Sequence, residues 1–342
     1  MKQYRVVALP GEGIGPEVVE AALVILRRVA ELHRFGVTID YGLIGEPAFQ
    51  QWGEFFPEAT AQLGDGADGI LFGAVSRGGL LELRKHFDFF ANLRPVRPFA
   101  SLMDRSPLKP EKLQGVDILF VRELVSGIYF GPAGRSHQAP DPYGYHTMRY
   151  TDSEIRRIAR VALHQAQNRR QLLTVAHKEN ALPQLPWTRL VQAEAVDFPE
   201  VAIEPMLVDN LALQLMLQPS HFDVVLAGNL FGDILSDLGG ALVGSIGVLG
   251  SASLNTQGFG LYEAVHGTAP DLAGKGMANP MGTLAGMTLM LQQWGEVAAA
   301  DHLVQAQERL LGQGYCTADL VSQPGKPWVS TEAWITSLLR EL

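Results

Sequence analysis

The chain has 342 residues, 47% of them hydrophobic, 18% charged, with a net charge of −9 at pH 7. That length allows a large core in one big domain or two smaller ones. The negative charge disfavours non-specific nucleic-acid binding and a basic membrane-surface role, while leaving room for a local arginine cluster that holds an anionic substrate.

An apolar run at 5–9 predicts a first buried strand, and no basic segment followed by an apolar one precedes it. Pro16 suits a first helical turn, and Val18, Ala22, Ile25 and Val29 then fall on one face at spacings of three and four. Apolar runs at 69–72, 116–121, 172–176 and 222–227 predict further buried strands, with helical patterns between them. This alternation indicates an α/β protein with a largely parallel core sheet. Segment 131–150 (GPAGRSHQAPDPYGYHTMRY) lacks helical periodicity and reads as a loop or hairpin arm. The charge-free stretch 238–262 is dense in Gly, Ser and Asn, so it reads as loops and helix ends, not a membrane span. Cys316, the single cysteine, excludes an internal disulfide framework. The expectation is a soluble, cytoplasmic protein. Its charged fraction, below the roughly 25% usual for soluble proteins, is consistent with burial against another subunit.

Two glycine-rich segments mislead. Gly11, Gly13 and Gly15 lie between a strand and a helix, but the third is one position early for a Rossmann fingerprint and no acidic residue clearly follows the next strand. Segment 267–276 (GTAPDLAGKG) resembles a phosphate loop with the wrong spacing, and Gly276 stands where Ser or Thr would hold magnesium. Such a turn can still wrap a nucleotide by backbone contacts.

Asp233 and Asp237 stand four apart, on one face of a helix, among small and apolar neighbours. Asp209 follows the apolar run 201–208 and leads into a helix-like segment. Three carboxylates in apolar surroundings need a cation, and all-oxygen ligation suits Mg²⁺ or Mn²⁺. Helix capping by one and exposure of the others is the competing reading, and spacing leaves both open. Arg84, Arg94 and Arg122 supply the opposite charge. Arg122 ends an apolar strand, where α/β sheets present ligand-binding groups, and a bidentate carboxylate suits its planar fork. For any one arginine, a structural ion pair is the simpler account, with Glu123 or Asp117 as the partner of Arg122. Tyr129 and Lys178 are candidate proton-transfer groups; a lysine near a cation and arginines is suited to act as a base near neutrality.

These motifs resemble the β-decarboxylating dehydrogenases, which act on isopropylmalate, isocitrate, homoisocitrate, and tartrate or malate, with the isopropylmalate members closest. The likeness covers nearly the whole chain: LPGEGIGPE at 9–17, FANLRP at 90–95, VREL at 121–124, GIYFG at 127–131, VDN at 208–210, NLFGDILSDL at 229–238 and HGTAPDLAGKGMANP at 266–280. The resemblance implies a two-domain fold, distinct from the usual Rossmann arrangement, around a mixed, largely parallel sheet. Residues 1–98 and 246–342 would form an NAD-binding domain. Residues 99–245 would form a dimerisation and metal/substrate domain, with an arm at 131–150. It also implies a homodimer with shared active sites. Arg84, Arg94 and Arg122 would bind the carboxylates of a small dicarboxylate substrate. Asp233 and Asp237, with Asp209 of the other subunit, would bind Mg²⁺ or Mn²⁺. Lys178, also from the other subunit, would be the base on the C2 hydroxyl, and Tyr129 would protonate C3 after carbon dioxide leaves. Glu263, His266, Gly267, Ala269, Asp271 and Asn279 match the NAD site. Asp271 would accept hydrogen bonds from ribose hydroxyls and repel a 2′-phosphate, which favours NAD over NADP.

Leu80 and Leu81 resemble the leucines that line an isopropyl pocket. The loop at 73–83 is about a dozen residues shorter than expected for an isopropylmalate enzyme. Arg77 stands near where a glutamate is usual, Glu179 replaces a small residue, and His177 matches homoisocitrate and isocitrate members better. A shorter loop makes a roomier pocket, so the expected reaction is NAD-dependent oxidative decarboxylation of 3-isopropylmalate or a bulkier analogue such as 3-benzylmalate. The alternatives are a homoisocitrate or tartrate/malate dehydrogenase, or a non-catalytic regulatory subunit. The last is disfavoured because every proposed catalytic and ligand position is filled.

Overall fold

The computed structural model describes residues 1–137, 141–321 and 327–342. Among them the strands, in chain order, are β1 (Gln3–Gly11), β2 (Gly36–Tyr41), β3 (Gly69–Ala74), β4 (Ala91–Val96), β5 (Ile118–Glu123), β6 (Ala133–Ser136), β7 (Tyr143–His146), β8 (Leu172–His177), β9 (Ala202–Leu207), β10 (Val224–Ala227), β11 (Gly250–Leu254) and β12 (Gly260–Ala264). The chain divides into two units: Met1–Phe89, Pro98–Pro110 and Gly240–Leu342 form the first, and Phe90–Arg97 and Glu111–Gly239 the second.

In the first unit the strands run β2-β1-β3-β12-β11, parallel except where β11 meets β12. Val7, Leu9, Ile70, Phe72 and Leu261 from these strands build a core with Leu83 and Phe89. The helix Gly15–His33 buries Val18, Ala22, Ile25 and Val29 completely, the face that the spacing predicts.

The second unit orders its strands β4-β5-β10-β8-β9, with only β4 antiparallel. The helix Asp152–Gln167 starts at a capping box: the Thr151 hydroxyl accepts from the Glu154 amide, and the Glu154 carboxylate accepts from the Thr151 amide. It buries Ile155, Ile158, Ala162 and Leu163.

Two expectations change, and a third is narrowed to one of its two readings. Residues 90–97 belong to the second unit, not the first, because β4 pairs along its length with β5; residues 98–110 return to the first, and the later division falls at 239/240. The stretch 238–262 is not only loops and helix ends, since it holds β11 and the start of β12. Strand β11 hides the small polar residues Ser251 and Ser253 in place of an apolar run. Within 131–150, β6 and β7 form an antiparallel hairpin, while 138–140 lie outside the described residues. Among the described residues no helix is long and apolar enough to cross a membrane.

Candidate active site

Four neighbouring strands of the second unit, β5, β10, β8 and β9, run parallel, so their carboxyl ends fall on one edge. That edge is where open α/β sheets collect ligand-binding groups. Arg122 is next to last in β5, Asn229 opens the helix Asn229–Val243 just after β10, Lys178 directly follows β8, and Asp209 lies in the first turn of the helix Val208–Leu217 after β9.

Arg122, 3% exposed, and Arg94, 8% exposed, both reach the helix Asn229–Val243. Arg122 donates to Asp233 Oδ1, and its Nε and Nη2 donate to Asn229 Oδ1 at 3.0 and 2.8 Å. Arg94 Nη1 donates to Asp237 Oδ1 and to Ser236 Oγ, each at 2.8 Å, and its Nη2 lies 3.7 Å from Asp233 Oδ1. A Cβ at position 232 would stand 2.7 Å from Arg122 Cγ, so glycine there lets the arginine lie against the helix. The Tyr129 hydroxyl donates to Asp233 Oδ2 at 3.0 Å, and its ring lies beneath the Arg122 guanidinium at 5.9 Å. Burial and the Asp233 carboxylate raise the Tyr129 pKa, so the hydroxyl keeps its proton at neutral pH. Burial raises Asp237 as well, more than Arg94 lowers it. The simpler ion-pair partners of Arg122 are engaged elsewhere: Asp117 pairs with Arg169 at 2.8 Å, and Glu123 faces Arg157 at 4.0 Å. Glu123 is fully buried, and burial pushes its carboxyl up to about 7.

Lys178 Nζ donates to Asp209 Oδ1 at 2.5 Å, and that bond lowers the Asp209 pKa. The lysine lines a small, mostly apolar pocket with Met148, Tyr150, Leu182, Trp187 and Phe231. Glu179, the departure beside it, has a structural task. Its Oε1 accepts from the Thr188 amide at 2.7 Å, satisfying an N–H in the first turn of the helix Trp187–Glu194, whose own cap position is Pro186. Asp209 does not gather with Asp233 and Asp237. Among the described residues no three His, Cys, Asp or Glu side chains form a metal-sized group within the chain.

In the first unit Arg84 and Glu263, both buried, form an ion pair at 2.9 Å. Arg84 Nε is buried with no hydrogen-bond partner. Leu80 packs partly onto the core of this unit, while Leu81 is 46% exposed. Arg77, in the short loop, pairs with Glu46 at 2.9 Å. The glycine segment at 11–15 is built for packing. Gly13 has φ +62°, and a Cβ there would meet the Thr268 carbonyl oxygen at 2.0 Å; the Ile14 amide donates to that same oxygen. The segment thus braces the loop that carries His266, Gly267, Ala269 and Asp271. Ala269 and Leu272 pack on Ile14, Val18 and Ala278, and Asp271 and Gly267 stay exposed. His266 Nδ1 lies 3.0 Å from the Gly267 carbonyl oxygen, while its Nε2 is buried without a partner. The Asn279 amide donates to Asp319 Oδ2 at 3.0 Å, and Ser245 donates to the same oxygen at 2.6 Å.

Asn229, Ser236 and Asp319 escaped the sequence reading. Asn229 and Ser236 sit inside NLFGDILSDL at spacings of four and three from Asp233, a signal that was available. Asp319 had none, since its partner Asn279 is forty residues away in the chain.

The sequence profile of the isocitrate/isopropylmalate dehydrogenase family matches residues 5–337. The chain belongs to this family. Among curated relatives in the isocitrate/isopropylmalate dehydrogenase family, it is 42% identical to the 3-isopropylmalate dehydrogenase of Aquifex aeolicus (strain VF5), over 94% of this chain and 93% of that one. It is 45% identical to the 3-isopropylmalate dehydrogenase of Halalkalibacterium halodurans, over 97% and 95%. The crystal structure of isocitrate dehydrogenase from Methylococcus capsulatus superposes with a TM-score of 0.87 at 28% identity, covering 99% of each chain. The α/β fold with a mixed, largely parallel sheet is therefore the fold of this family.

Proposed function

We propose that the protein oxidises and decarboxylates a 3-substituted malate: the 2-hydroxy acid and NAD⁺ give a 2-oxo acid, carbon dioxide and NADH. One observation carries the reading. Two nearly buried guanidiniums, Arg94 and Arg122, converge on the paired carboxylates Asp233 and Asp237, and a protonated phenol, Tyr129, touches one of those carboxylates. Cations for a dicarboxylate, oxygen ligands for a hard metal ion and a proton donor thus share one helix face.

The donor set fits Mg²⁺ or Mn²⁺, because Asp233 and Asp237 offer only oxygens and the Asp237 side chain remains half exposed. Asp209 of a second copy would complete the set, which makes the active unit a homodimer with shared sites. The unpartnered His266 Nε2 and the open space over Gly267 fit a dinucleotide held with Glu263, Ala269, Asp271 and Asn279. A bound NAD would supply the hydride acceptor for C2, and a bound divalent ion would supply Lewis acidity at the C2 oxygen.

The chain's own residues do the rest. Arg94 and Arg122, with Arg84, bind the carboxylates and hold the C–C bond in the geometry for cleavage. Lys178 of the second copy takes the C2 hydroxyl proton, directly or through a water. Tyr129 holds the proton that passes to C3 once carbon dioxide has left. Leu80 and Leu81 face the C3 substituent, and the short loop at 73–83 leaves space for a group bulkier than isopropyl. Specificity constants for 3-isopropylmalate, 3-benzylmalate, homoisocitrate and malate, with NAD and Mn²⁺, test both parts. A preference for benzylmalate supports the roomy pocket, and a clear preference for isopropylmalate rejects it. Inactivity on all four acids, with no detectable Mn²⁺ binding, rejects the dehydrogenase reading in favour of a non-catalytic subunit.

A further inference from the structure

Asn229 occupies a position that neither binds ligand nor merely fills the core. It is fully buried, and every hydrogen-bonding group of its amide is engaged. Oδ1 accepts from Arg122 Nε at 3.0 Å and Nη2 at 2.8 Å. Nδ2 donates to the carbonyl oxygens of Leu124 at 3.2 Å and Ser126 at 2.9 Å. Its backbone amide donates to the Tyr150 hydroxyl at 2.8 Å. One side chain therefore ties a guanidinium to the turn that leads, through Gly127, into Tyr129, and does so from the first residue of the helix that carries Asp233 and Asp237.

We infer that Asn229 is a positioning residue that sets the Tyr129 hydroxyl in register with Arg122. The inference rests on the roles proposed above for those two residues. The two ends of the amide do different work. The oxygen fixes the Arg122 fork, the group proposed to bind a substrate carboxylate. The nitrogen holds carbonyls 124 and 126, and so sets the distance from that carboxylate to the phenol that must reach C3. Glu123 grips the same turn from the other side, accepting from the amides of Ser126 at 2.9 Å and Val125 at 3.3 Å. Neither glutamine, one methylene longer, nor aspartate, which cannot donate, reproduces both ends at once.

Asn229→Asp separates the ends. One carboxylate oxygen still receives Arg122, but the other, an acceptor in place of Nδ2, now faces the carbonyls of Leu124 and Ser126. The full-length protein with 3-isopropylmalate, NAD and Mn²⁺ should keep its substrate KM within about 3-fold while kcat falls at least about 10-fold, and amide hydrogen exchange across 124–129 should accelerate. Asn229→Ser, whose hydroxyl falls short of both Arg122 and the carbonyls and adds no buried charge, should lower kcat, raise KM and accelerate exchange across 124–129, and serves if the aspartate variant does not fold. Unchanged kcat and unchanged exchange overturn the inference, as does a rise in KM with kcat untouched, which would leave Asn229 serving Arg122 alone. If the wild-type protein turns over none of the malates, the proposed reaction fails. The exchange measurement then still judges the clamp: slow exchange at 124–129 in both variants overturns it.

Discussion

Tyr129 donates its hydroxyl hydrogen to Oδ2 of Asp233 at 3.0 Å, while Oδ1 of the same carboxylate receives Arg122. Tyr129 is 43% exposed, yet its partial burial and the neighbouring charge keep the hydroxyl protonated. A group in that state donates protons. Tyr129→Phe should therefore lower kcat by about 10²- to 10⁴-fold, with substrate KM and Mn²⁺ affinity little changed, because Arg122 and both aspartates remain. Steady-state kinetics and a Mn²⁺ titration check this; a large loss of metal affinity would assign the hydroxyl to holding Asp233 instead.

The buried Arg84–Glu263 pair makes a stability prediction. Arg84→Ala leaves Glu263 buried and uncompensated, so denaturant unfolding should show a loss of about 3–5 kcal/mol. Replacing both partners by apolar residues, Arg84→Met with Glu263→Leu, should recover much of that loss, since neither charge then needs pairing. Failure of the double variant to recover stability would mean that the pair is not the dominant interaction at this position.

Glu123 gives the fold a pH dependence that can be isolated. Its ordinary value is 4.5, and burial lifts it to about 7 in the folded chain. Below 4.5 both states hold the proton. Between 4.5 and 7 only the folded state does, so stability falls as pH rises through that window and levels off above it. The change amounts to about 3 kcal/mol. Unfolding free energies from pH 4.5 to 8 should show this decline in the wild type and a flatter curve in Glu123→Gln. Parallel curves would refute it.

If each active site draws Lys178 and Asp209 from a second copy, two inactive chains can rescue each other. Co-producing Lys178→Met and Asp233→Asn should restore up to about a quarter of wild-type activity, because half of randomly paired dimers contain one intact site. No recovery in a verified mixed dimer would mean that all the catalytic groups act within one chain.

Periodicity and motif were enough for much of this protein. The buried face of the helix Gly15–His33, the parallel strands β5, β8 and β10, and the four-residue spacing that aligns Asp233 with Asp237 are all local patterns, repeated within a turn or a strand. Resemblance added roles to single residues. Strand β11 was missed because burial on a closely packed sheet selected small and polar residues there, erasing the apolar signal that strands usually carry; β12 keeps buried Leu261 and Tyr262 but is only five residues long.

Pairings were decided by the tertiary structure. Nothing in the chain order says that Arg122 meets Asp233 and Asn229 and not Glu123, that Arg84 meets Glu263, or that Glu179 caps a helix. A charge takes whichever partner repays its desolvation, and for Arg122 and Arg84 that partner is brought near by strand order and helix packing, which link residues more than a hundred positions apart. Chemical types were therefore readable one residue at a time, whereas the contacts that tune them exist only once the sheet has assembled.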